Sequence, residues 1–165
     1  MPSSPQDVPP AAPRFGVVPL ETLRSLSGLE LMRAIIEGRL PQAPMAGTLD
    51  FALAEAAEGE VTFVGHPAAP HYNPLGSVHG GYAATLLDSC MSCAVQTTLE
   101  QGFGYTTLEF RVHLVRAITA ESGPIRATGK VVHPGKRAAT AEGRILDAGG
   151  RLLAHGTTTC LIFPI

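Results

Sequence analysis

The segment from Gly80 to Leu99 constrains the fold more than any other part of the chain. Ala84, Leu87, Met91, Ala94, Val95 and Leu99 recur at helical spacing on one stripe, and Gly102 closes the segment after about five turns. Ala83, Ala84, Ser89, Cys90, Ser92, Cys93 and Ala94 leave narrow side chains on most of its girth. A helix this slim packs closely only against something that wraps around it, and an antiparallel sheet does so.

The rest of the chain supplies the sheet. Leu49-Asp50-Phe51-Ala52-Leu53 and Val61-Thr62-Phe63-Val64 flank a break at Glu58-Gly59 and read as a hairpin. Beyond the helix, Leu108, Phe110, Val112 and Leu114 alternate with Thr107, Glu109, Arg111 and His113. Three further strands are expected at 124–133, 137–147 and 151–163, separated by Pro134-Gly135 and Ala148-Gly149-Gly150. A short helix begins before the hairpin, where Ser27 and Glu30 match a capping box and Leu29, Met32, Ile35 and Ile36 recur until Gly38. The order of elements is helix, two strands, long helix, four strands: an α+β fold without the strand–helix alternation of a parallel sheet.

Composition narrows the functional classes. At 165 residues the chain is sized for one domain. Residues 1–20, with prolines at 2, 5, 9, 10 and 13, read as an extended arm, and 21–165 as the domain itself. With 45% hydrophobic and 16% charged residues, part of the surface is expected to be covered by a second copy. A net charge of −2 without a basic stripe argues against nucleic acid. No apolar run approaches the ~20 residues that span a bilayer, and no basic start followed by an apolar stretch opens the chain, so no membrane partner is expected and a cytoplasmic location fits best. Three cysteines do not make a disulfide framework.

Chemistry concentrates in Asn73-Pro74-Leu75-Gly76-Ser77-Val78-His79-Gly80-Gly81 and the helix that follows, which carries Asp88. Two glycines at a helix start let a ligand approach the backbone, and the free N–H groups there suit a carbonyl oxygen gaining negative charge. Gly80 is then an oxyanion donor, with Gly81 and His79 beside the bound substrate. Asn73 offers a side-chain N–H that orients the same oxygen or the water. Asp88 lies about 12 Å further along the helix axis than Gly80, too far for one carboxylate and one water to bridge. That separation favours Asp88 of one subunit acting at Gly80 of its partner.

This stretch resembles the PaaI-like branch of the hotdog-fold acyl-CoA thioesterases. In that family an Asn or Gln lies seven residues before a Gly at the start of the central helix, and an acid lies eight after it; Asn73, Gly80 and Asp88 fall at those offsets. The resemblance covers roughly residues 47–163. It implies a hotdog fold, five to six antiparallel strands around one long central helix, and a dimer with two shared sites, stacked in relatives into tetramers. It implies hydrolysis of an acyl-CoA to free acid and CoA with no cofactor. Asp88 serves either as general base on water or as a nucleophile forming an anhydride, and general base is the reading preferred. The family hydroxyl eighteen residues beyond the acid falls on Thr106, with Thr107 as the alternative should the register slip. Lys136 and Arg137, on an exposed turn, are the expected partners of CoA phosphates.

Rival readings are weaker. Cys90-Met91-Ser92-Cys93 has redox spacing but lies mid-helix among apolar residues. His66, His71, His113, His133 and His155 are dispersed, so no metal site is expected. No G-x-S-x-G elbow is present. A hotdog hydratase would need an acid about fourteen residues after a loop His, and fourteen from His71 reaches Thr85. The remaining alternatives are a non-catalytic acyl-CoA binding module, which Asp88 argues against, and a purely structural dimer.

Overall fold

A computed structural model of the chain describes residues 14–165. Three short helices, α1 (Leu20–Ser25), α2 (Gly28–Ile36) and α3 (Pro44–Thr48), precede the hairpin β1 (Phe51–Ala57) and β2 (Glu60–Gly65). The long helix α4 (Gly80–Gln96) follows, and then β3 (Phe103–Leu114), β4 (Ile125–His133), β5 (Ala138–Leu146) and β6 (Leu152–Pro164). The six strands form one antiparallel sheet in the order β1-β2-β4-β5-β6-β3, curled around α4. This is the hotdog arrangement expected from the sequence.

Local chemistry explains most boundaries. Ser27 and Glu30 form the reciprocal capping box at the start of α2. Gly59, at φ 74°, makes the β1–β2 turn that a side chain would strain. Two helices were not read from the sequence: α1, with six residues and no side-chain cap, and α3, with five. Both are too short to display a hydrophobic period. Residues 1–13 of the proline-rich arm lie outside the described residues. Its described part is tied to the body, since Gly16 N–H donates to the Gln42 carbonyl and Gln42 N–H to that of Arg14.

The core is the contact of α4 with the sheet's concave face. Leu86, Leu87, Cys90, Met91, Ala94 and Val95 are fully buried there. Each large side chain contributes about 1.5–3 kcal/mol by leaving water. Close approach depends on a row of glycines that register places side by side: Gly129 opposes Gly143, which opposes Gly156. A Cβ on Gly129 would lie 2.2 Å from the Cys90 carbonyl oxygen, and one on Gly143 2.7 Å from Met91 Cγ. Gly129 thereby leaves space for the helix backbone itself, and Gly143 for the Met91 side chain.

Strand β3 is the edge of the sheet and departs from simple alternation. A bulge between Thr107 and Glu109 inserts Leu108, so the residues facing α4 are Tyr105 and Thr107 before it and Phe110, Val112 and Leu114 after it. The strict alternation read from the sequence had set Thr107 on the face opposite Phe110, and the extra residue removes that difference. Leu108, Phe110 and Leu114 are 58%, 42% and 59% exposed, an unusual load of apolar surface on a strand with one free edge.

Candidate active site

The loop entering α4 is ordered by its own polar side chains. Asn73 Oδ1 accepts from the N–H of Leu75 (2.9 Å) and of Ser77 (3.4 Å), while its Nδ2 donates to Ser77 Oγ (3.1 Å). Gly76, at φ 84°, closes the turn. The Val78 N–H donates to the Ile118 carbonyl, and the His79 N–H to that of His71, fixing the point where the helix starts.

His79 is the N-cap of α4, and its Nδ1 accepts the Gly81 N–H at 2.9 Å. The Gly81 N–H is thereby engaged within the chain and not free for a ligand. The Gly80 N–H, in the first turn where no helical carbonyl can reach it, has no partner among the described residues. It opens toward a cleft of about 250 Å³ lined by Asn73, Ser77, His79, Gly80, Leu114 and Arg116, among others. A Cβ at position 80 would stand 2.8 Å from Leu114 Cδ1, so the residue type itself keeps this approach clear.

Asp88 is half-buried two turns further on, on the flank of α4 that faces β3. The Thr107 hydroxyl donates to its Oδ1 at 2.8 Å. Thr106 lies on the outer face of β3, opposite Leu161, and is exposed. The structure thus brings Thr107, given from the sequence only as the alternative, to the carboxylate, and turns Thr106 away. One turn beyond Asp88, Ser92 Oγ donates to the Asp88 carbonyl and accepts from the Tyr105 hydroxyl at 3.2 Å. The sequence reads Ser92 only as a narrow helix residue and points to no role for Tyr105. Asp88 does not line the cleft at Gly80, in keeping with the spacing along the helix.

Lys136 and Arg137 are exposed on the β4–β5 turn. Lys136 borders a hollow with Leu99, Glu100, Phe103 and Ile162, at the opposite end of α4 from Gly80 of the same chain. The helix between the two ends is roughly 25 Å long.

The thiols are inert by environment. Burial raises Cys93 from the ordinary 9.0 to about 11, and pushes Cys90 and Cys160 up as well. No group of three or more His, Cys, Asp or Glu side chains among the described residues is arranged to hold a metal ion. No helix among them is long and apolar enough to cross a membrane.

The chain is similar to known proteins of one family. The family model described as the thioesterase superfamily matches residues 75–154, from the loop before α4 into β6. A solved protein described as from the thioesterase superfamily is 33% identical, with 82% of this chain and 98% of that one covered and a TM-score of 0.67. A phenylacetic acid degradation-related protein of Ralstonia eutropha JMP134 is 26% identical over 79% of this chain and 98% of its own, with a TM-score of 0.72. A Streptococcus mutans UA159 protein solved bound to acetyl CoA shares the fold at 22% identity, covering 69% and 89% of the two chains with a TM-score of 0.63. No curated protein sequence matches.

Proposed function

The chain belongs to the thioesterase superfamily and is a thioester hydrolase, and on that premise we propose that it cleaves an acyl-CoA to free acid and CoA using water activated by Asp88. The observation that carries this reading is the Asp88 carboxylate held by Thr107 beside the sheet's free edge. Asp88 takes a proton from water while the water oxygen attacks the thioester carbonyl carbon. The Gly80 N–H and the positive end of α4 stabilise the resulting oxyanion, with the second Asn73 amide N–H available nearby. The tetrahedral species collapses, the carbon–sulfur bond breaks, and the CoA sulfur leaves with the proton that Asp88 had accepted. Thr107 keeps the carboxylate pointed at the water. The alternative in which Asp88 itself attacks the carbonyl uses the same residues and leaves an anhydride for water to open.

The two halves of this machinery meet when β3 pairs with the same strand of a second copy. Gly80 packs on Leu114 and Asp88 bonds Thr107, both on the helix-facing side of β3. An antiparallel β3–β3 contact with its two-fold axis near Phe110 sets the partner's Leu114, and with it the partner's Gly80, beside Thr107 and Asp88. The same contact covers Leu108, Phe110 and Leu114, which are exposed in the single chain. It also carries the Lys136 hollow toward the partner's cleft, where Lys136 and Arg137 become available to CoA phosphates. Binding of acetyl CoA by the Streptococcus mutans protein supports CoA as the carrier.

Thiol release from short-chain, long-chain and aromatic acyl-CoAs tests the function. Turnover of at least one class is expected; none by a folded dimer would remove the reading. A non-catalytic acyl-CoA binding module is the second reading, and binding without turnover would favour it.

A further inference from the structure

Asp88, Ser92 and Gln96 follow at four-residue intervals on the flank of α4 that faces β3, and Gln96 ends the series beside a second, separate cavity. That cavity, of about 320 Å³, lies among Leu23 of α1, Leu31 and Met32 of α2, Tyr105 of β3, and Phe163 and Ile165 at the end of the chain. Apart from Gln96 and Tyr105, every side chain lining it is apolar. The Tyr105 hydroxyl is already bonded to Ser92.

Gln96 is 8% exposed, and its side-chain amide hydrogen-bonds no described residue. Among the described residues the sealed, unpartnered side-chain polar atom is the Tyr82 hydroxyl, so the Gln96 amide, whose Nε2 lies against Gly28 of α2, keeps a little accessible surface and borders the cavity. An amide in such a place carries a desolvation cost unless something bonds it. It presents both a donor and an acceptor to an otherwise apolar space. A hydroxyl matches both functions. A carboxylate matches neither the acceptor nor the surroundings, since no cationic side chain among the described residues lines the cavity.

Resting on the thioesterase reading above, we propose that this cavity holds the far part of the acyl group and that Gln96 hydrogen-bonds a hydroxyl carried there. Gln96 lies about 12 Å along α4 from Asp88, within reach of the end of a medium-length chain whose thioester sits at the carboxylate. Tyr105 stands between the two places, its hydroxyl bonded to Ser92 one turn from Asp88 and its side chain among those lining the cavity, so a chain running from one to the other passes along it. Gln96 acts as a specificity determinant: a hydroxylated chain satisfies it, and a plain chain leaves it unpaired.

Two measurements on the full chain test this: kcat/KM for ω-hydroxyoctanoyl-CoA against octanoyl-CoA, and calorimetric Kd for the two free acids. The hydroxylated member is expected to win by at least about tenfold in both. Gln96→Met, with its melting temperature checked against the parent, is expected to bring both ratios near one. Turnover with equal preference in the parent protein overturns the Gln96 assignment and leaves the thioesterase reading standing, whether or not the variant folds. Tenfold discrimination between the acids without turnover of any acyl-CoA supports the cavity and overturns the hydrolytic reading instead. Equal binding and no turnover overturn both.

Discussion

Thr107 donates a 2.8 Å hydrogen bond to Oδ1 of Asp88, while its neighbour Thr106 faces the other side of the strand. The two threonines therefore separate a positioning role from a merely local one. Thr107→Val is expected to lower kcat roughly tenfold, the loss of one charge-assisted hydrogen bond, with KM little changed. Thr106→Val should leave kcat within about twofold, as expected of a surface position. Asp88→Asn keeps the shape and removes the base, and a fall of about 10²–10⁴ in kcat is expected. Steady-state thiol release reads all three, and near-parental rates for Asp88→Asn would exclude both of its proposed roles.

Gly80→Ala sets a methyl against Leu114 and into the approach to the free N–H. The N–H itself survives, so the effect expected is steric: kcat/KM lower by about ten- to a hundredfold, comparable with loss of an oxyanion donor. The fold should tolerate the change, because the contacted atom is the tip of a leucine. Kinetics paired with a thermal melt separates the two effects.

A shared site makes a quantitative demand on mixed subunits. Asp88→Asn and Gly80→Val should each be inactive as pure dimers. An equimolar mixture, unfolded and refolded together, should regain roughly a quarter of parental activity: half the dimers are mixed, and each holds one intact site of two. A site complete within one chain would regain nothing. Phe110→Glu, at the centre of the exposed β3 face, should yield monomers by light scattering and lose hydrolysis with them.

The buried thiols give stability an alkaline limit. Cys93 ionises near 9.0 when exposed and near 11 in the folded chain because burial disfavours the thiolate. Below pH 9 both states keep the proton, and stability is unaffected. Between about 9 and 11 the unfolded state loses it first, so stability falls as pH rises, by about 2–4 °C in Tm for each kcal/mol. Cys93→Ser is expected to make that decline shallower in melts run from pH 7 to 11, with Cys90, Cys160 and, above about pH 10, the burial-raised Tyr82 and Tyr105 contributing the remainder. An equal slope in the variant would assign the effect elsewhere.

Much of this architecture was legible in the sequence, for identifiable reasons. The capping box at Ser27 and Glu30, the small-residue helix from Gly80 and the alternation after Phe103 are local patterns, and each produced the element expected. The Leu108 bulge was not legible, because apolar and polar residues alternate straight through it. That one inserted residue decides which of two adjacent threonines meets Asp88. Gln96 and Tyr105 escaped notice for a different reason: their environment is made by α1, α2 and the end of β6, segments distant in sequence. Asn73 was read as a ligand to substrate or water, and the structure adds a second task, that of anchoring the loop before α4.

The glycine row at 129, 143 and 156 has a consequence beyond packing. Gly129 and Gly143 lack the side chains that would meet the helix and so fix how deep it settles, while Gly156 leaves room for the Arg111 carbonyl of β3; the depth of the helix sets where its carboxylate stands relative to the strand edge. Enlarging Gly129 or Gly143 would lift the axis by a fraction of an ångström and misalign a reaction centre on the other flank, so kinetic damage there would come from residues that never approach a substrate.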